Sequence, residues 1–250
     1  MHDTLDRAVN ALDGARRILV FTGAGISTES GIPDFRGPEG IWTKVDPDDF
    51  TIDRYLESSE IRQRSWAMWG DSQYMAAEPN RGHAAIVTLW EHDLLAGCVT
   101  QNIDGLHLEA GLPCHAVAEL HGNTRAVTCL ECEARWETGD VLARVAEGDP
   151  DPHCPHCAGI IKLTVVSFGQ MLPQREMMKA QAMADAADAV IAVGTTLSVW
   201  PAAEIPLIAA RKGAPFVIIN QGETEFDHAA IKVEAGAGDA LTAITSRLTA

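Results

Sequence analysis

The sequence of 250 residues lacks any apolar run approaching the ~18 residues that a membrane-spanning helix requires. Residues 1–6 contain neither the basic start nor the apolar stretch of a secretory signal. Basic side chains are few, because 19 lysines and arginines stand against 35 acidic residues and the net charge is −16. These absences argue against nucleic-acid and membrane partners, and we expect a cytoplasmic protein.

The length is sufficient for one large core with a small additional module. Apolar runs at 18–21, 189–193 and 216–219 alternate with helical patterns. This alternation predicts an α/β fold with a doubly wound parallel sheet, in which ligands sit beyond the carboxyl ends of the strands. Small or polar residues follow the predicted strands at 22–27, 100–104, 194–196 and 220–222.

A glycine-rich turn follows the first predicted strand and contains Gly23, Ala24, Gly25 and Ser27. Small residues between a strand and a helix allow backbone N–H groups to face a phosphate. The third glycine of the dinucleotide fingerprint is absent, because position 28 is Thr28. Taken alone, the turn leaves nucleotide binding and an ordinary chain reversal equally open.

Four of the six cysteines form two C-x-x-C pairs, Cys129 with Cys132 and Cys154 with Cys157. In a reducing compartment such pairs indicate metal or redox chemistry rather than a disulfide framework. Four thiolates around one Zn²⁺ leave no open coordination position, so we expect a structural ion. A redox pair and unliganded thiols are the alternatives.

Seven further motifs, in this order, resemble the sirtuin family of NAD-dependent protein deacylases of bacterial type. The resemblance runs from about residue 17 to residue 240 and depends on the order of the motifs more than on any one of them. They are G-A-G-I-S at 23–27, G-I-P-D-F-R at 31–36, P-N-x-x-H at 79–83, T-Q-N-I-D-G-L-H at 100–107, H-G at 121–122, V-V-S-F-G at 165–169 and G-T-T-L at 194–197.

The resemblance implies two domains with a cleft between them. Residues 1–35, 79–124 and 160–250 would form a Rossmann-like NAD-binding domain. A helical insertion at 36–78 and a zinc-ribbon module at 125–159 would form the small domain. NAD, as co-substrate, and an acylated-lysine protein or peptide would meet in the cleft.

The implied reaction begins when the acyl oxygen attacks C1′ of the nicotinamide ribose and nicotinamide leaves. Collapse through the ribose 2′-hydroxyl then gives free lysine and O-acyl-ADP-ribose. His121 and Asn102 are the implied catalytic residues, with His121 as the general base, because imidazole titrates near neutral pH. His107 is the rival base, to which the family pattern assigns a structural role.

The family pattern also implies the residues that hold NAD and peptide. Residues 165–169 would take up the peptide as an added strand, chiefly through Val165, Val166, Phe168 and Gly169. The implied NAD-binding residues are Gly23, Ala24, Gly25, Ser27, Thr28, Asp34, Phe35, Arg36, Trp42, Gln101, Asn102, Ile103, Asp104, Gly194, Thr195, Thr196, Asn220, Gln221, Gly222 and Ala240.

The sequence departs from the family pattern at two places. Gln170 stands where glutamate is usual, which would weaken attraction for basic peptides. Relatives that remove acidic acyl groups carry a Tyr-x-x-Arg pair, and the corresponding stretch here runs from Trp66 to Trp69 without an arginine. A buried succinyl carboxylate would then lack its partner, so we expect acetyl or another neutral acyl group.

Two other functions use the same features. Transfer of ADP-ribose to a protein side chain would share the NAD site, and product mass distinguishes it from deacylation. A non-enzymatic NAD-sensing or zinc-ribbon module would bind NAD without turnover. Six acidic residues and two basic residues, Arg135 and Arg144, lie between the cysteine pairs, which makes a nucleic-acid-binding ribbon a poor fit.

Overall fold

The computed structural model describes residues 2–35, 37, 40, 43, 46–70 and 77–250. The strands are β1 (Ile18–Thr22), β2 (Leu95–Thr100), β3 (Val117–Glu119), β4 (Ala126–Cys129), β5 (Arg135–Glu137), β6 (Ile161–Leu163), β7 (Ala189–Val193), β8 (Phe216–Ile219) and β9 (Ile231–Val233). Six of them form a central parallel sheet with the order β3-β2-β1-β7-β8-β9. The other three form a second, antiparallel sheet with the order β5-β4-β6.

Helices connect these strands and cover the parallel sheet on both faces. They are α1 (His2–Leu12), α2 (Ile52–Glu57), α3 (Ser59–Trp69), α4 (Arg81–Glu91), α5 (Leu106–Glu109), α6 (Thr138–Ala146), α7 (Gln174–Ala186), α8 (Glu204–Ala210) and α9 (Ala237–Leu248). The predicted α/β class with a doubly wound parallel sheet is therefore confirmed. None of the helices in the described ranges is long and apolar enough to cross a membrane.

Alternation of side chains along the central strands produces two separate cores. Ile18 and Val20 of β1 pack on one face with residues of α1, α4 and α9. Leu19 and Phe21 pack on the opposite face with residues of α7 and α8. Because successive strand residues point to opposite faces, a continuous apolar run such as 18–21 fills both cores. The sheet is thereby held rigidly between two helical layers.

The smaller sheet carries the cysteine cluster and has a core of its own. Val127 and Cys129 of β4 pack with Val141 of α6 and with Trp66 of α3. Strand β6 pairs with β4 in this smaller sheet, from Val127 opposite Leu163 to Cys129 opposite Ile161.

A buried ion pair joins the helical insertion to the cysteine module. Arg62 of α3 donates from Nε and Nη2 to both carboxylate oxygens of Asp151, at 2.8 and 2.7 Å. Its Nη1 donates to the carbonyls of Tyr55 and Leu56. The Tyr55 hydroxyl donates to the carbonyl of Ile161 at 2.8 Å. These contacts connect α2 and α3 to the loop and strand that flank the second cysteine pair.

Candidate active-site cleft and metal centre

A cleft of about 1440 Å³ opens at the carboxyl ends of β1, β2, β7 and β8. The ends of these parallel strands form one wall, as expected for a ligand site in an open α/β sheet. The other wall comes from the helical insertion and from the segment that follows β6. The cleft therefore lies between the two sheets of the molecule.

The floor of the cleft depends on a close crossing of the loops after β1 and β7. The N–H of Gly25 donates to the carbonyl of Gly194 at 2.9 Å, and the N–H of Gly23 donates to that of Val193 at 3.0 Å. A Cβ atom at Gly25 would lie 2.7 Å from the Cα of Gly194. Glycine is thus needed at 23 and 25 for the two backbones to cross. The fold itself requires these glycines, whether or not a phosphate binds there.

Below the floor, a buried polar network connects β1, β2 and α5. The hydroxyl of Thr22 lies 2.8 Å from the hydroxyl of Thr100 and 2.8 Å from Nε2 of His107. The His107 ring stands against that of His83, with ring centroids 4.9 Å apart. Burial and, to a smaller extent, the neighbouring His83 lower the pKa of His107 to about 3. His107 is therefore a neutral, buried residue, and it does not line the cleft.

A second network fixes the polar side chains that face the cleft. Ser27 donates to Oδ2 of Asp104 at 2.7 Å and accepts from the amide of Asn102 at 3.1 Å. The other oxygen of Asp104 accepts from the N–H of Leu106 at the start of α5. Asp104 therefore accepts from the first N–H of the short helix and orients Ser27 at the same time.

His121 lies in the cleft with one ring nitrogen engaged. Its Nδ1 is 2.9 Å from the carbonyl of Gln101, so Nδ1 carries the proton and Nε2 is left as the basic atom. Burial lowers the pKa of His121 from its usual value, while the hydrogen bond to Gln101 raises it. The side chain of Gln101 is in turn held by a 2.9 Å bond to the hydroxyl of Thr195.

Most of the predicted NAD-binding residues converge on this cleft. Arg36 and Trp42 lie outside the described residues. Thr28 and Ala240 do not line the cleft, and Ala240 lies on the buried face of α9, in the core. The predicted residues that line it are Gly23, Ala24, Gly25, Ser27, Asp34, Phe35, Gln101, Asn102, Ile103, Asp104, Gly194, Thr195, Thr196, Asn220, Gln221 and Gly222.

All four predicted peptide-binding residues also line the cleft, within residues 165–169, which we term the clamp segment. One edge of the clamp segment is already occupied. The N–H of Phe168 donates to Phe50, and its carbonyl accepts from Ile52 at 2.9 Å. The N–H of Val166 donates to the carbonyl of His121 on that same edge. An added peptide strand would therefore have to use the opposite edge.

Sequence reasoning missed Lys162, which lines the cleft although it is almost completely buried. Its Nζ donates to the carbonyls of Leu163 and Val165 and lies 5.9 Å from the ring centroid of Tyr55. Burial lowers the pKa of Lys162 to about 8. A single lysine within the apolar run 160–163 is the sequence signal that could have revealed it.

The four cysteines of the two C-x-x-C pairs meet at one point. The sulfurs of Cys129 and Cys157 are 3.6 Å apart, as are those of Cys132 and Cys154, and all four lie within 4.8 Å of one another. A tetrahedron with Zn–S bonds of 2.3 Å has sulfurs about 3.8 Å apart. The cluster therefore fits one zinc ion with all four positions filled, and neither His153 nor His156 is needed as a ligand.

The order and geometry of these residues agree with what comparison with known proteins finds. A sequence model of the Sir2 family matches residues 23–201. The chain belongs to the Sir2 family. The matched residues include the glycine-rich turn, the cysteine cluster and the clamp segment.

Curated Sir2 relatives are similar along nearly their whole length. The chain is 43% identical over 227 residues to NAD-dependent protein deacetylase 1 of Bradyrhizobium diazoefficiens, covering 89% of this chain and 87% of the relative. It is 41% identical over 225 residues to NAD-dependent protein deacetylase 2 of Streptomyces coelicolor, covering 89% and 93%.

Solved Sir2 structures share the fold. One, described as Sir2 with a p53 peptide and NAD+, has a TM-score of 0.83 and 37% identity, covering 95% of both chains. Another, which contains a deacetylated p53 peptide and 3′-O-acetyl ADP ribose, has a TM-score of 0.89 at 37% identity and covers 97% of both chains.

The cysteine cluster predicts one zinc ion per chain and a structural role for it. Cys129→Ser removes one ligand of a closed site, so we expect loss of zinc and a melting temperature lower by roughly 10 °C. Metal content by elemental analysis and thermal unfolding measure both effects. The control is Cys114→Ser, which changes an exposed cysteine outside the cluster. Full zinc content and unchanged melting in Cys129→Ser would contradict the assignment.

Burial of His107 predicts that acid destabilises the fold before the carboxylates titrate. The native ring stays neutral down to about pH 3, whereas the unfolded chain takes up a proton near pH 6.5. The stability is therefore complete above pH 6.5 and declines as the pH falls, by about 2 kcal/mol between pH 6.5 and 5. Urea unfolding at pH 7.5 and 5 measures this loss.

The matched variants are His107→Gln and His115→Gln, the latter at an exposed histidine. His107→Gln should lower the free energy of unfolding at pH 7.5 but reduce its dependence on pH. His115→Gln should retain the wild-type pH dependence. Equal pH dependence in His107→Gln and the wild type would show that another group is responsible.

Proposed function

We propose that this protein is an NAD-dependent protein-lysine deacylase that releases free lysine, nicotinamide and O-acyl-ADP-ribose. The observation that carries the proposal is the position of His121. A half-buried imidazole with Nδ1 engaged presents Nε2 to the same cleft that the glycine-rich turn and the clamp segment line. Deacetylase relatives at about 40% identity over most of the chain support the same activity.

The residues of the cleft divide into groups that hold each reactant. The glycine-rich turn, Thr195 and the segment 220–222 line the part of the cleft that would hold the ADP-ribose portion of NAD. Asn102 and Asp104, fixed through Ser27, would orient the nicotinamide ribose by hydrogen bonds. NAD would supply the ribose that accepts the acyl group, and nicotinamide would be the leaving group.

His121 would then act on a ribose hydroxyl. Its Nε2 removes the hydroxyl proton, and the carbonyl of Gln101 stabilises the ring that has become charged. Burial lowers the pKa of His121, so the ring is neutral and competent at pH 7. Phe35 lines the cleft and would exclude water from the reacting sugar.

We further propose that the acyl group is acetyl or another neutral chain. The stretch from Trp66 to Trp69 contains no arginine to pair with a succinyl carboxylate. Among the described residues, the lysine and arginine side chains that line the cleft are Lys162 and Arg64. The ammonium of Lys162 already donates to two backbone carbonyls, and Arg64 is paired with Asp49 at 3.2 Å. We also propose the cytoplasm as the compartment, because thiolates that bind zinc must remain reduced.

The function is tested by incubating the protein with an acetyl-lysine peptide, with and without NAD. We expect NAD-dependent loss of the acetyl mass from the peptide, matched by nicotinamide and O-acetyl-ADP-ribose. The same peptide with succinyl-lysine should react at least about tenfold more slowly, because its carboxylate would be desolvated without a partner. Mass spectrometry measures every species.

The control is His121→Ala, which should lose at least about a hundredfold in turnover, as expected for a general base, while retaining NAD binding by calorimetry. Near-normal turnover in this variant would remove His121 from the mechanism. Addition of ADP-ribose mass to the peptide or protein would instead establish ADP-ribosyl transfer. NAD binding without nicotinamide release would leave the sensing function.

A further inference from the structure

Several exposed apolar side chains line the same cleft as the clamp segment. Among the described residues, the large hydrophobic side chains that are exposed are Leu56, Phe168, Met171, Met178 and Trp200. Phe168, Met171 and Trp200 line the cleft, and we call these three residues the apolar rim. Met171 is 92% exposed, and methionine is a residue that adaptable binding surfaces use often. Clustered exposure of this kind marks an interaction surface, whereas scattered exposed residues do not.

The segments that carry the apolar rim contain no charged residue. Residues 165–173 and 194–203 lack Asp, Glu, Lys and Arg, although 22% of the whole chain is charged and the net charge is −16. Asp49 and Arg64, which also line the cleft, are joined at 3.2 Å and balance each other. The two segments of the apolar rim therefore offer a peptide no charged partner of their own.

The approach of a peptide to the clamp segment brings it along the apolar rim. Phe50 and Ile52 occupy one edge of the clamp segment. On the other edge the N–H of Ser167 donates to the side-chain oxygen of Gln170 at 2.8 Å, and its carbonyl accepts from the N–H of Gln170 at 3.0 Å. A peptide that adds at the edge of Ser167 therefore has to displace a neutral residue, Gln170. Trp200, which follows β7, packs edge-on against Phe226 with ring centroids 6.4 Å apart. This contact holds the indole ring in place.

We propose that this enzyme selects acyl-lysine sites whose neighbouring side chains are apolar, and that Met171 and Trp200 contact those neighbours. The proposal rests on the deacylase function above. An apolar neighbour gains by burial against Met171 and Trp200. A lysine or glutamate neighbour loses water there without gaining a charged partner. The acidic net charge attracts basic peptides only at long range, and salt screens that attraction.

The test uses three peptides with a central acetyl-lysine and two identical residues on each side. The flanking residues are leucine, lysine or glutamate, and the remaining sequence is constant. We expect kcat/KM for the leucine-flanked peptide to exceed that for the lysine-flanked peptide by about tenfold, equivalent to about 1.4 kcal/mol. The difference should reside mainly in KM and should persist at high salt, where the net charge no longer contributes.

Variants at two exposed methionines locate the effect. Met171→Glu places a charge on the apolar rim at a side chain too exposed to affect folding. We expect it to lower kcat/KM for the leucine-flanked peptide and to raise it for the lysine-flanked peptide. The matched control is Met178→Glu, which introduces the same charge at an exposed position on α7 outside the cleft. It should leave the preference unchanged.

The outcomes separate this proposal from the function on which it rests. Equal rates for the three peptides, or a preference for lysine flanks that survives high salt, would overturn the apolar selection. An identical effect of Met171→Glu and Met178→Glu would also overturn it, since the preference would then not arise at the apolar rim. If none of the peptides loses its acetyl group with NAD, the deacylase function itself fails.

Discussion

The site depends on one close contact between two backbones. Gly23 and Gly25 after β1 cross Gly194 after β7 so closely that a Cβ atom at Gly194 would lie 2.4 Å from the nitrogen of Ile26. Gly194 also has a φ of 61°, which favours glycine. This crossing fixes Thr195, whose hydroxyl holds the side chain of Gln101. Because the carbonyl of Gln101 in turn accepts from His121, the position of the imidazole follows from the packing of three glycines.

The environment of His121 combines two opposing effects on one ring. Burial favours the neutral imidazole, whereas the Gln101 carbonyl favours the protonated ring, and burial is the larger effect. The result is a ring that is neutral before proton transfer and is stabilised once it has accepted a proton. His107 and His83 differ in that they are buried away from the cleft and remain neutral parts of the fold. The three histidines therefore serve different roles, because His121 reaches the cleft whereas His83 and His107 are fully buried.

Much of this arrangement could be predicted from the sequence because it depends on local signals. Apolar runs located the central strands, and the spacing of the cysteines indicated a four-thiolate cluster, which the structure brings together. The pairing of β6 with β4 could not be predicted, because a three-residue apolar strand is compatible with either sheet. The helix α8 and the strand β9 span only seven and three residues, which is too short for a clear pattern of apolar residues in the sequence.

The remaining differences arise from tertiary contacts. Ala240 was among the NAD-binding residues that the resemblance implied, but it lies on the face of α9 that packs into the core. The occupied edge of Phe168 depends on residues more than a hundred positions away. Lys162 was missed because an isolated lysine is usually solvated, and only the structure shows it enclosed beside Tyr55. Local sequence thus identifies the chemistry of the cleft, whereas its boundaries and edges are set by the fold.

The most direct test of this account is the pH dependence of kcat/KM for an acetyl-lysine peptide at saturating NAD, with NAD affinity measured over the same range. The account predicts that kcat/KM falls with acid at a midpoint below about 6.5, because burial holds His121 neutral, while NAD still binds. A midpoint at or above 6.5, or a profile without an acidic limb, would contradict the assignment of a buried, neutral His121 as the base.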